Sequence, residues 1–85
     1  MRADELDRLD RLAAEARTEE MCYLEDAKTA EAQERWPLAE HFNKAAQLHH
    51  DIADKAERAA AAIRALDESI RLWKQQRFVD LKILD

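Results

Sequence analysis

Apolar side chains, joined by His49, recur at steps of four and three from one end of a long stretch to the other: Leu38, Phe42, Ala45, His49, Ile52, Ala56, Ala59, Ile63, Leu66, Ile70 and Trp73. That spacing is the heptad seam of a helix packed lengthwise against another helix. Neither Gly nor Pro interrupts it. At 1.5 Å per residue such a helix runs roughly 50–60 Å, longer than an ordinary globule of this size is wide, so it requires a partner helix of similar length.

The preceding stretch supplies one. Leu6, Leu9, Ala13, Ala16, Glu20, Tyr23, Ala27 and Ala30 follow the same three–four rhythm, with Leu12 and Leu24 beside the stripe. Glu20 alone breaks the apolar set, and a carboxylate there must reach solvent or find a cationic or hydroxyl partner. Asp4, Glu5 and Asp7 crowd the first turns, where the positive end of the helix dipole favours them. The single proline, Pro37, follows Trp36. Proline pushes the residue before it away from helical angles yet sits comfortably in a first helical turn, which places a reversal near Arg35-Trp36-Pro37. A continuous helix kinked at Pro37 is disfavoured by the cost of an interior proline and by the seam of helix one, which does not carry through.

The predicted fold is therefore all-α: a long antiparallel two-helix hairpin, coiled-coil-like, in a single helical domain over 1–85. Helix one spans about 3–34, the turn about 35–37, helix two about 38–77, and an apolar tail 78–85. A short connection pairs positions whose numbers sum to roughly 72–75. Leu6 then faces Leu66, Leu9 faces Ile63, Ala13 and Ala16 face Ala59 and Ala56, Tyr23 faces His49, and Ala30 faces Phe42. Leu12, Leu24, Leu48, Ala46, Ala53 and Ala60 widen the apolar stripe beyond what two helices cover, which favours a dimeric four-helix bundle or a docked partner. Helix two outlasts helix one, so Ile70, Trp73, Phe78, Leu81 and Leu84 project past the pairing. The tail itself fits a helical turn or, with Val79, Leu81 and Ile83 on one side, a short strand.

Composition narrows the functional classes. The 85 residues contain no Gly and 39% charged side chains, leaving little of the turn chemistry that strands or phosphate-cradling loops require. No apolar run reaches the ~20 residues that cross a bilayer, and Met1-Arg2-Ala3-Asp4-Glu5 lacks a signal-peptide pattern, so a cytoplasmic protein without membrane contact is expected. Up to Trp36 the chain carries six cations against eleven acids, which accounts for the whole net charge of −5. The acidic start of helix one should then lie beside Arg64 and Arg71 of helix two. Opposite charges also recur at i,i+4, as in Glu40/Lys44, Asp51/Lys55, Asp54/Arg58 and Asp67/Arg71.

Candidate chemistry is sparse. His41, His49, His50, Asp51 and Asp54 include one pair a turn apart, His50 and Asp54, but not the paired Glu-x-x-His units of a di-iron bundle. Cys22 is a lone thiol among Glu19, Glu20, Glu25 and Asp26, a setting that discourages the thiolate. No nucleophile triad, Walker loop or zinc spacing occurs, and a slim hairpin offers little concavity for a substrate. No catalytic, cofactor or metal residue is assigned, and the chain is read as not an enzyme.

What remains is surface. Ile70, Trp73, Phe78, Leu81 and Leu84, with Arg71, Lys74 and Arg77 among them, form an apolar and basic end suited to a protein partner. The first expectation is thus an interaction module, a small adaptor or regulator, binding another protein, itself, or both. An alternative uses Glu15, Glu19, Glu20, Glu25, Asp26 and Glu31 as a string of carboxylates in a small acidic inhibitor, of mobile-element or phage type, that blocks a nucleic-acid-binding complex. A further alternative is nucleic-acid contact through Arg71, Lys74 and Arg77, which the acidic net charge disfavours.

Overall fold

The absence of Gly and the single Pro lead to two uninterrupted helices joined by a tight reversal. In the computed structural model, which describes the backbone of residues 2–84 and the side chains of residues 3–77, α1 spans Arg2–Ala32 and α2 spans Trp36–Leu84. The two pack as an antiparallel hairpin measuring 77 × 17 × 12 Å. Its thinnest dimension is that of one helix, so it is a single layer with two broad faces.

The reversal falls two residues earlier than Pro37 suggests. Glu34 adopts a left-handed conformation with φ 58°. Its N–H donates to the Glu31 carbonyl at 2.9 Å, and the Arg35 N–H donates to the Ala30 carbonyl at 2.8 Å. That pair of bonds is a Schellman cap, satisfying carbonyls that the end of α1 would leave without partners. The Ala39 N–H then donates to the Arg35 carbonyl at 2.9 Å, making Arg35 the N-cap of α2 and setting Pro37 in its first turn, where no N–H is needed. A glutamate in the left-handed position costs about 1 kcal/mol that glycine avoids. Glu34→Gly is expected to raise the thermal midpoint by roughly 2–8 °C, followed by far-UV circular dichroism at fixed concentration.

Along α1 the inward row matches its spacing: Ala13, Ala16, Ala27 and Ala30 are buried, and Leu6, Leu9, Glu20 and Tyr23 are half-buried. Along α2 the row is turned from the expected one. Ala39, Ala46, Ala53, Ala56 and Ala60 are buried, with Phe42, His49, Ile63, Asp67 and Ile70 half-buried between and beyond them. The predicted seam thus holds at Phe42, His49, Ala56, Ile63 and Ile70. It fails at Ala59, Leu66 and Trp73, which are exposed, and moves Leu38, Ala45 and Ile52 to a half-buried flank. The reason is size. Two backbones approach closest where every intervening side chain is a methyl group, and the 39–46–53–60 row is alanine throughout, whereas the alternative row carries Leu, Ile and Trp.

Longitudinal register agrees with expectation. Tyr23 stacks on His49 at 5.4 Å and 20°, and leans on Phe42 at 6.2 Å. Arg17 pairs with Glu57 at 3.1 Å and Asp10 with Arg64 at 2.6 Å. Arg71, by contrast, pairs with Glu68 of its own helix at 2.6 Å. Glu40/Lys44 and Asp54/Arg58 form the i,i+4 pairs anticipated, both at 3.1 Å, while Asp51 accepts from Gln47. The last residues of α2 are helical through Leu84, which replaces the strand alternative for the tail.

Candidate interaction surface

Every buried residue among those described is an alanine, and no large side chain is fully enclosed. An alanine removes little more than one methyl from water, worth about 0.8 kcal/mol, against the 1.5–3 kcal/mol of a buried Leu or Phe. The hairpin therefore spends its smallest apolar groups on its own contact and leaves its largest ones outside. Trp73 is 59% exposed, Leu48 59%, Leu72 53% and Leu66 51%.

The projecting end of α2 carries several of the predicted partner residues. Ile70 is half-buried near the start of α1, and Trp73 lies beyond the described end of α1. The Arg77 guanidinium sits 5.3 Å over the Trp73 ring, a cation–π contact that holds the indole against its own helix. Lys74 is exposed, and Arg71 is engaged by Glu68. The side chains of Phe78, Leu81 and Leu84 lie outside the described residues.

The predicted acidic set is divided. Glu20, on the inward row of α1, receives Arg17 at 3.1 Å and lies 2.9 Å from His50 Nδ1. The remaining five, Glu15, Glu19, Glu25, Asp26 and Glu31, are exposed. Two of these are turned from the others: helical geometry sets Glu31 toward the ion-paired side and Glu25 on the outer edge, while Glu15, Glu19 and Asp26 border the opposite face.

Arg17 organises the ion-paired face. Its Nε and Nη2 donate to the two oxygens of Glu57, each at 3.1 Å, and Nη1 donates to Glu20. His50 Nδ1 stands 2.9 Å from both Arg17 Nη1 and Glu20 Oε2. One nitrogen cannot serve both: unprotonated it accepts from Arg17, and protonated it donates to Glu20. Partial burial pushes the Glu20 carboxyl up, but hydrogen bonds from Arg17 and His50 outweigh it and leave it below the usual carboxylate value. The bidentate bond from Arg17 lowers Glu57 against a smaller opposing effect of burial. Because both folded values are depressed, their contribution is complete above the unfolded carboxylate value and is lost as pH falls through the folded one. Thermal stability is therefore expected to decline below about pH 5, and Arg17→Gln should flatten that decline, as read from melting midpoints between about pH 6 and 3.

Among the described residues no group of three His, Cys, Asp or Glu side chains is arranged to hold a metal ion, and no helix is long and apolar enough to cross a membrane. His50 and Asp54 turn to separate partners, Arg17 with Glu20 and Arg58. Cys22 is exposed. Trp36 is 62% exposed at the tip of the reversal, a large apolar surface residue that heptad spacing does not mark. An aromatic at a hairpin tip, where no element packs, was the signal available.

No protein-family model matches the chain, and comparison with curated proteins and with solved structures returns no match.

Proposed function

We propose that this chain is a non-enzymatic protein-interaction module, a small adaptor or regulator that docks a partner on its outward apolar side chains and on the end of α2 that α1 leaves uncovered. The observation that carries this reading is the all-alanine interior, which leaves Leu12, Leu48, Leu66, Leu72 and Trp73 exposed on a chain of 85 residues. Large apolar groups in water are a standing cost that an interface removes, and aromatic anchors such as Trp73 dominate interface energies. The Arg77 guanidinium above the indole keeps that ring ordered before contact, which reduces the entropy lost on binding.

A second copy of the chain is the other occupant the surface supports, giving a dimeric four-helix bundle. The row Leu38, Ala45, Ile52, Ala59, Leu66 and Trp73 favours it, since running two such rows antiparallel sets Leu38 by Trp73, Ala45 by Leu66 and Ile52 by Ala59. Light scattering across a concentration series separates the two occupants.

The experiment for the main reading is a quantitative affinity capture from the source cells with wild-type chain, Trp73→Ala and the surface control Arg58→Ala. A protein held in stoichiometric amount by wild type and control, and reduced at least about thirtyfold by Trp73→Ala, is the expected result for an anchor worth about 2 kcal/mol or more. Retention unchanged by Trp73→Ala removes the uncovered end from the reading. Far-UV circular dichroism of Trp73→Ala should match wild type, because this ring is mostly exposed.

A further inference from the structure

The two faces of the hairpin differ in kind. One is closed by charge, with Arg64 on Asp10 and Arg17 forked onto Glu57. The other carries open depressions between the helices. Leu9, Leu12 and Ile63 floor the first, Leu12, Ala16 and Ile52 the second, and Leu38 with Phe42 the one beside the reversal. They follow one another along the helix axes, so Leu12 to the reversal makes a straight apolar track of roughly 25–30 Å.

Carboxylates border that track. Glu15 lines the first two depressions, Glu19 the second and Asp26 the third. Among the described residues, none of these three takes part in a side-chain hydrogen bond or ion pair, whereas Asp10, Glu20 and Glu57 are all paired on or toward the opposite face. Arg8 and Arg11 border the end of the track away from the reversal, and Arg35 its tip, leaving the stretch from Glu15 to Asp26 negative.

Resting on the interaction-module reading, we propose that this track binds an amphipathic α-helix of another protein, its apolar stripe on Leu12, Ala16 and Ile52 and its lysine- or arginine-bearing edge along Glu15, Glu19 and Asp26. A third helix fits because the track is straight, parallel to the helix axes and spaced by heptads, the groove that an i, i+3, i+7 stripe fills. A small molecule is a poor occupant, since the depressions open along one side and enclose little. A second copy brings its own carboxylates. A two-fold axis across the helices lays α1 beside α1 and sets the acidic rims together, and an axis along them sets Ile52 of each copy on the other's acidic row. A nucleic-acid-mimicking role has no use for the apolar track, because phosphate sites are matched by charge alone.

The test uses the full chain and two fluorescent synthetic helices of about 21 residues, identical in a Leu/Ala heptad stripe and differing in one edge, lysine in one and glutamate in the other. Fluorescence anisotropy at low salt should show the lysine-edged helix binding at least about tenfold tighter, with the gap closing as salt rises. Glu15→Lys, Glu19→Lys and Asp26→Lys together should reverse the preference, and these exposed substitutions leave the fold intact. Ile52→Asp should remove binding of both helices; Leu12→Ala, weakening it without loss of helical signal, stands in if Ile52→Asp unfolds. Equal binding of the two helices, or a preference unmoved by the triple reversal, overturns the proposal. So does a two-chain mass that Ile52→Asp returns to one, which assigns the track to a second copy. Binding of neither helix to a monomeric chain overturns it as well, and leaves the interaction-module reading to stand or fall on Trp73.

Discussion

Ala53→Leu is expected to destabilise the hairpin by about 1–3 kcal/mol, while Ala59→Leu, six residues away on the same helix, leaves stability within about 0.5 kcal/mol. Both positions are alanine and both lie on a heptad row, yet Ala53 is 0% exposed between the helices and Ala59 faces solvent. Three extra carbons at Ala53 must either separate α1 from α2 or take a strained rotamer. Separation has a further consequence, because the neighbouring alanines Ala46, Ala56 and Ala60 lose their close contacts along with it. Urea unfolding followed by far-UV circular dichroism, at one protein concentration, measures both variants. A larger cost at Ala59 than at Ala53 would return the seam to the Leu38–Ala45–Ile52 row.

Tyr23→Ala is expected to cost about 2 kcal/mol. The ring is half-buried, so the 3–5 kcal/mol of a fully enclosed aromatic is discounted accordingly. Tyr23 bridges two partners on α2, stacked on His49 at 5.4 Å and tilted against Phe42 at 6.2 Å, and His41 in turn lies 5.8 Å from Phe42. These rings are the largest side chains joining the helices near the reversal, where the surrounding contacts are alanine. A double-mutant cycle with His49→Ala should return a coupling of about 0.5–1.5 kcal/mol, the range for paired aromatic rings. Additive losses would mean that the stack contributes only its buried area.

Much of the hairpin was legible from spacing alone. The inward row of α1 followed from Leu6 through Ala30, and the register followed from the length of the connection, which brought Tyr23 to His49. Glu20 needs a partner because a carboxylate on an apolar row has few alternatives, and Arg17 and His50 supply it. The rotation of α2 was not legible. Two interleaved rows, 38–45–52–59–66–73 and 39–46–53–60–67, share the same period and the same intervening residues, and periodicity cannot rank them. Weighting by hydrophobicity chooses the larger side chains. Close packing chooses the alanines, and the larger row becomes surface.

That exchange also remade the candidate site. The projecting end with Trp73 was visible in the difference between the two helix lengths. The place of Glu20 on the inward row of α1 was readable from its spacing, but only the pairing of α1 with α2 set Glu15, Glu19 and Asp26 along the apolar track and left Glu25 and Glu31 off it.

The sequence by itself determined that this protein is two long helices folded back at one point, because nothing in it can end a helix elsewhere and because a heptad row in water must find another. Which row each helix turns inward was decided only in the tertiary structure. There, the approach of two backbones is limited by their bulkiest intervening side chains, so small residues close the contact and large ones are left for whatever binds next.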